Sequence, residues 1–296
     1  MTICTVRCWA HALTAFALLA TLTGTGCATG QLVARTTTSV LDGSLEAMNR
    51  ETDLELAEAA MPSSLKLIEG LINEDPDNLA LREYAAQGFY GYAFGFVEDR
   101  DPRRASELYR RCLNHALGGL RLAGMRVDAR TASPDELEKA VAKLGARAVP
   151  SLFWGSSCWA KWIDMNRDSP ERLAEINRAA SMMERVMALD EGYFYGGPHL
   201  FFGIFYGSRP PMLGGDYQKA KFHFDRAREL SGGSAFIVEV LYAQYLDRQE
   251  LNRQDFHRRL VGVIEGSVEE YPDVALANRI AQHKAQLLLE KEDQWF

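Results

Sequence analysis

The sequence predicts an all-α fold, an array of helix hairpins with a central helical insertion. Three observations carry that expectation. From residue 46 onward apolar residues recur at helical spacing, and no segment alternates as a half-buried strand does. Acidic or hydroxyl residues stand beside proline in "EDPDN" (74–78), "DRDP" (99–102), "ASPDE" (132–136), "DSPE" (168–171) and "EYPD" (270–273), and most of these read as helix starts, a cap followed by proline in the first turn. A small–bulky–small pattern, spaced four and then three residues apart, returns in four segments. With 296 residues, 47 % of them hydrophobic and 25 % charged, the chain can bury a large core. A net charge of −7 without a long basic run excludes a nucleic-acid footprint.

The first element is not part of that array. "MTICTVRCWAHALTAFALLATLTGTGC" carries one firm cation, Arg7, and no acid. Its apolar stretch, Ala12 to Leu22, has the length of a signal-peptide core and falls short of the roughly 20 residues of a bilayer span. Cys27 directly after Thr25-Gly26 resembles a bacterial lipobox, with Gly24 where an aliphatic residue is usual. Residues 1–26 therefore read as a lipoprotein signal peptide, Cys27 as the lipidated mature terminus and residues 27–45 as a tether. Ala28, in the position where aspartate favours inner-membrane retention, leans towards the outer membrane. Residues 46–296 then form one all-helical domain. Cys112 and Cys158, its two thiols, read as small buried apolar residues, although an exported chain could join them.

The helices of that domain share a template. Ser64, Ile68 and Leu71 fit it loosely, with Pro76 after them. Ala105, Tyr109 and Cys112 fit it, as do Ala179, Met183 and Val186. The best match is Ala220, Phe224 and Ala227, after the start signal Gly215-Asp216-Tyr217. This is the tetratricopeptide pattern, in which small residues let paired helices approach. Ala105 lies 41 residues after Ser64 and Ala220 lies 41 after Ala179, longer than the usual repeat of about 34, so the repeats are degenerate. Two pairs of hairpins flank an insertion near residues 118–160. "LDEG" (189–192) reads as a helix stop at its glycine.

Two further helices are rich in glycine and aromatics. In "AAQGFYGYAFGFVEDRDP" (85–102) Gly88, Gly91 and Gly95 fall on one narrow face. Each costs a helix roughly 1 kcal/mol relative to alanine, so close approach of a neighbour must compensate. Phe89, Tyr92 and Phe96 lie beside the stripe, and Tyr90, Phe94 and Val97 lie opposite, making a helix that is buried all round. "PHLFFGIFYGSRPP" repeats the device with Gly203 and Gly207. Each of these helices directly precedes a template helix and is the first of a hairpin.

Nothing assembles a catalytic or metal centre. The chain has no CxxC, no HExxH, no phosphate-binding loop and no histidine pair at ligand spacing, which points away from an enzyme and implies no cofactor. What stands out is the aromatic excess, which continues in "LFWGSSCWAKWI" (152–163) and "GYFYGGPH" (192–199). Trp154, Trp159 and Trp162 do not share one face, so their helix meets partners on two sides.

The stretch 65–117, with its long glycine-aromatic run followed by Glu98 and Asp101-Pro102, resembles the signature region of the TRAP-transporter T-component family. "GGPHLFFGIFYGSRPPMLGGDYQKAKFHFDRA" (196–227) resembles its second signature, and the similarity reaches about residue 265. These are tetratricopeptide-like lipoproteins of tripartite ATP-independent periplasmic transporters. The resemblance implies a non-catalytic homotrimer with a pore, which binds the transporter's periplasmic substrate-binding protein and passes it a hydrophobic or organic-acid ligand. A helical array that only docks proteins in the cell envelope is the competing expectation. For a conduit, the aromatics that hairpin packing does not need are the candidates: Tyr90, Phe94, Trp154, Trp159, Tyr193 and Tyr195. Glu98, Asp99 and Arg209 stand at helix ends, where a mouth or a partner contact is expected.

Overall fold

The computed structural model describes residues 37–296. The signal peptide and Cys27 lie outside the described residues. Among the described residues every regular element is helical. The second half of the expected tether is itself helical, because α1 already spans Thr38–Asn49. After it come α2 (Leu54–Glu74), α3 (Leu79–Tyr92), α4 (Pro102–Leu122), α5 (Pro134–Ala142), α6 (Val149–Asp164), the short α7 (Pro170–Leu173), α8 (Ile176–Leu189), α9 (Tyr193–Gly207), α10 (Tyr217–Ser231), α11 (Ile237–Tyr242), α12 (Arg253–Glu265), α13 (Ala275–Leu289) and α14 (Glu292–Trp295). No helix among them is long and apolar enough to cross a membrane.

Local chemistry starts most of these helices where the sequence predicts. Asp101, Ser133 and Asp216 each accept a hydrogen bond from a first-turn N–H, at Arg104, Glu136 and Lys219. Ser133 and Glu136 complete a reciprocal capping box. Two signals act differently. In "EDPDN" the cap is Asn78, two residues after the proline, and its side chain accepts from Leu81 N–H. α8 stops at Asp190 rather than at the glycine of "LDEG", and Gly192 keeps an ordinary φ of −84°.

The template residues pack as small-residue seams. Ala105, Tyr109, Cys112, Ala179, Met183, Val186, Ala220, Phe224 and Ala227 are all fully buried. In α2 the register is shifted: Leu65, Ile68 and Ile72 face the core, while Ser64 is exposed. The central insertion is also shorter than expected. Only residues 123–148 lie outside the paired helices, their α5 packed on α8, because α6 packs between α4 and α8 as a full member of the array. A disulfide joins Cys112 of α4 to Cys158 of α6, with Cα atoms 5.9 Å apart, so the two cysteines are paired rather than merely buried. Buried Trp159 and Met182 extend this seam into α8.

The array closes on itself. α13 packs against α1 and α2, and Leu276 and Ile280 join the same hydrophobic cluster as the first helices. The Cδ1 of Ile280 lies 2.7 Å from where a Cβ on Gly95 would stand, so this glycine makes the closing contact possible. Arg50 bonds Asp273 across the same seam at 2.8 Å.

Two short π-helical segments, Ala93–Val97 and Ala243–Asp247, continue α3 and α11. Their wider turn is visible in the bonds from Glu98 N to Ala93 O and from Arg248 N to Ala243 O, each spanning five residues. One extra residue per turn rotates the side chains beyond it, and such turns are frequent at functional sites. Here the first carries Phe94, under the Lys161 and Lys284 ammonium groups, and the second carries Tyr245.

Candidate functional site

The aromatics on the free side of α3 meet those of α6 and the start of α9. The Phe94 and Tyr90 rings stack at 5.8 Å, Tyr90 lies 5.4 Å from Trp154, and Trp154 meets Phe194 edge-on at 4.9 Å. Phe194 continues to Tyr195 at 5.8 Å, and Phe153 carries a branch to Tyr193 at 5.2 Å. Five of the six predicted wall residues therefore belong to one connected set. Trp159 does not. It is fully buried on another face of α6, where its Nε1–H donates to Glu175 at 2.7 Å. A helical wheel alone could not separate it from Trp154, because both faces of α6 are apolar.

At one end the set reaches an unusual turn. Phe194, Tyr195 and Gly196 are consecutively left-handed, with φ of 49°, 59° and 76°. For the two non-glycine residues this costs on the order of 1–2 kcal/mol each. Packing enforces it. A Cβ on Gly196 would stand 3.1 Å from the backbone of Ala227, and one on Gly197 would stand 2.5 Å from the ring of Phe153. The chain must turn here without side chains, and the turn leaves Phe194 and Tyr195 about two-fifths exposed. Tyr195 borders a cavity of about 320 Å³ with Asp42, Glu46, Arg50 and Asp273.

At the other end stands a buried charge cluster that local sequence does not announce. Glu98 lies beyond the first π segment, and its side chain is 7 % exposed. Its carboxylate takes Lys161 Nζ of α6 at 2.7 Å, Lys284 Nζ of α13 at 2.8 Å and the hydroxyl of Tyr109 at 2.5 Å. Lys284 also donates to Asp99 at 2.6 Å. Burial opposes the Glu98 carboxylate, yet the charges of the two lysines outweigh it and hold its pKa below the usual range. Burial likewise opposes the Lys161 ammonium, and Glu98, Tyr245 and Asp164 more than offset it, so the amine stays protonated. Both ammonium groups also sit over the Phe94 ring, at 5.5 and 4.3 Å.

The helix-end candidates thus divide. Glu98 is an interior residue with three partners inside the chain, and Asp99 shares Lys284 with it. Arg209 folds back on its own helix, donating to Phe205 O at 2.8 Å with its guanidinium 4.2 Å from the Phe205 ring. Among the described residues no carboxylate pairs with Arg209. The residues missed were Lys161, Lys284 and Tyr245. A lone lysine on an apolar stretch, as in "SSCWAKWI", was the available signal, since such a cation requires a buried acid.

Tyr90 and Tyr245 complete the picture. Burial raises both phenols, Tyr245 to about 12, yet both keep accessible surface. Phe94, Phe201, Phe205 and Tyr206 are likewise only partly buried although each packs on the core.

A family model for the TRAP transporter T-component matches residues 50–296. No curated protein matches the chain.

Proposed function

The chain belongs to the TRAP transporter T-component family, and on that premise we propose that it is a non-catalytic accessory lipoprotein that carries a ligand along its aromatic path. The family membership supplies the accessory role in TRAP transport. In that role the protein binds the transporter's periplasmic substrate-binding subunit and hands it a hydrophobic or organic-acid ligand through the pore. It works as a homotrimer, held in the periplasm at the outer membrane by lipid on Cys27. Tyr90, Phe94, Trp154, Tyr193 and Tyr195 form the wall.

One observation carries the reading. The wall residues form a connected series from the exposed Phe194–Tyr195 turn to the buried lysines, instead of filling separate hairpin cores. A pure docking scaffold has no need of an aromatic series that runs from half-exposed rings to a buried charge cluster. The left-handed turn adds support, because strained backbone held by its surroundings recurs at ligand sites.

The test uses the apolar fluorophore N-phenyl-1-naphthylamine. The protein should bind it with enhanced emission, and Phe194→Arg, a change at a half-exposed ring over Trp154, should abolish most of that signal. Binding that ignores Phe194→Arg overturns the conduit. Capture of the TRAP substrate-binding subunit from the same organism tests the partner separately, and failure to capture it overturns that assignment.

A further inference from the structure

The turn between α9 and α10 carries the most exposed large apolar side chain among the described residues. Met212 is 88 % exposed and Leu213 is 66 % exposed, and Pro210 and Pro211 beside them are exposed as well. The turn is nevertheless closely built. The N–H groups of Leu213 and Gly215 donate to Pro210 O, that of Gly214 to Pro211 O and that of Asp216 to Tyr206 O. Gly214 is left-handed, with φ of 85°, and a Cβ on Gly215 would collide with the carbonyl oxygen of Arg209. The two prolines fix the approach and bring no N–H of their own. Met212 and Leu213 are thus held out on a turn whose backbone donors are largely satisfied from within.

The first two turns of α10 follow directly. Ala220, Phe224 and Ala227 mark the buried face of that helix, and Phe222, 61 % exposed, stands on the opposite one. Lys219 and Lys221 lie on either side of Phe222 around the helix, and both are exposed. Between residues 206 and 222 the charged residues are Arg209, Lys219 and Lys221 against Asp216 alone, a local positive excess in a chain of net charge −7. Asp216 caps α10 and pairs with Lys219 at 3.3 Å, while Arg209 and Lys221 pair with no carboxylate among the described residues. The next acids along the helix, Asp225 and Glu229, are held by Arg228 and Arg226.

We propose that this turn and the outer face of α10 form a membrane-contact surface. Met212, Leu213 and Phe222 enter the head-group region of an anionic bilayer, and Arg209, Lys219 and Lys221 meet the lipid phosphates. A bilayer takes up apolar side chains but supplies few hydrogen-bond partners below its head groups, which suits a turn that bonds its own backbone. Anionic head groups attract cations that no carboxylate of the chain neutralises. The contact goes beyond the lipid anchor proposed above, because a chain without lipid must still bind. It fixes which side of the helical array faces the bilayer, where attachment at Cys27 alone leaves the array free to swing.

The mature chain from residue 27, carrying Cys27→Ser, has no lipid of its own. With Cys112 and Cys158 paired, Leu213→Cys in that background takes a nitrobenzoxadiazole label at residue 213 alone. Vesicles of phosphatidylethanolamine and phosphatidylglycerol should shift the label's emission to the blue, and the unlabelled chain should float with them. Met212→Glu/Leu213→Glu, at two exposed positions, should leave the melting temperature unchanged and abolish flotation. Lys221→Gln should weaken binding roughly fivefold, as a lysine near an anionic surface implies. Emission that ignores the vesicles overturns the contact, and leaves the anchor standing if the lipidated wild type floats. Flotation that survives the double glutamate variant overturns the assignment to this turn. A blue shift that appears without vesicles and grows with protein concentration assigns the surface to a second copy of the chain and overturns the membrane contact.

Discussion

The two glycine-aromatic helices use glycine for the same purpose against different neighbours. On α3 and its π extension the glycines face flexible side chains: Leu65 at Gly88, Met61 at Gly91 and Ile280 at Gly95. On α9 they face rigid groups. A Cβ on Gly203 would meet the fully buried ring of Phe224 at 2.9 Å, and one on Gly207 would meet the backbone oxygen of Tyr245 at 2.7 Å. The first stripe is therefore a soft contact that a rotamer change can relieve. The second is a hard one, and it positions the second π segment with Tyr245. Glycine content alone does not say which is which.

The hard contact should give the largest effect. Gly207→Ala places a methyl against the Tyr245 carbonyl and the Ala220 methyl, neither of which can rotate away. The second π segment has to shift, at a cost of about 3 kcal/mol. Chemical denaturation should show that loss, and an unchanged midpoint would make the two glycine helices equivalent.

Acid should weaken the α9 side through a pair of histidines. His199 Nδ1 and His223 Nδ1 are 3.0 Å apart, His199 Nε2 faces Glu191 at 3.1 Å, and Arg226 holds Glu191 at 2.6 Å. Burial, with the charges of His199 and Lys219, pushes His223 down to about 4. Its pKa in the folded state is thus below its ordinary value of about 6.5, so the unfolded chain takes up the proton first as pH falls. The stability tied to a neutral His223 is complete above about pH 6.5 and is lost as pH falls through 4. On the α3 side burial also lowers the stacked His115, but there Glu69 at 3.2 Å partly opposes the shift, a carboxylate partner that His223 lacks. His223→Phe should flatten the decline in denaturation midpoint between pH 6.5 and 4, and a slope identical to the wild type would remove the histidine pair as its cause.

These differences mark where the sequence is legible. Caps such as Asp101 and Asp216 act within one turn, so helix starts can be read directly. The template triplets depend only on helical spacing, which is why Ala179, Met183 and Val186 are buried as expected. The family match over residues 50–296 bears out the resemblance read from the two signatures. What could not be read depends on distant partners. Lys284 and Glu98 are separated by 186 residues, and nothing local in either segment names the other. Neither π segment announces itself, since one added residue per turn leaves apolar spacing nearly intact. The left-handed Phe194 and Tyr195 arise from the contacts of Gly196 and Gly197 with Ala227 and Phe153, and not from their own preferences. The disulfide has the same origin: its two cysteines meet only because α4 and α6 pack.

The smallest effect is the most discriminating, because its sign is at stake. Gly91 sits in the interior of α3, and a Cβ there would meet only the Met61 methyl at 3.6 Å, an ordinary contact. Alanine gains about 1 kcal/mol of helix propensity over glycine, chiefly by restricting the unfolded chain. Gly91→Ala should therefore stabilise the protein by up to about 1 kcal/mol. The same gain at Gly95 is opposed by Ile280 at 2.7 Å, which must rotate and loosen the seam where α13 closes the array. If the stripe were a close backbone contact throughout, Gly91→Ala would cost stability instead. A rise in denaturation midpoint at Gly91, beside a fall at Gly207, separates a glycine left in a soft contact from one that the packing requires.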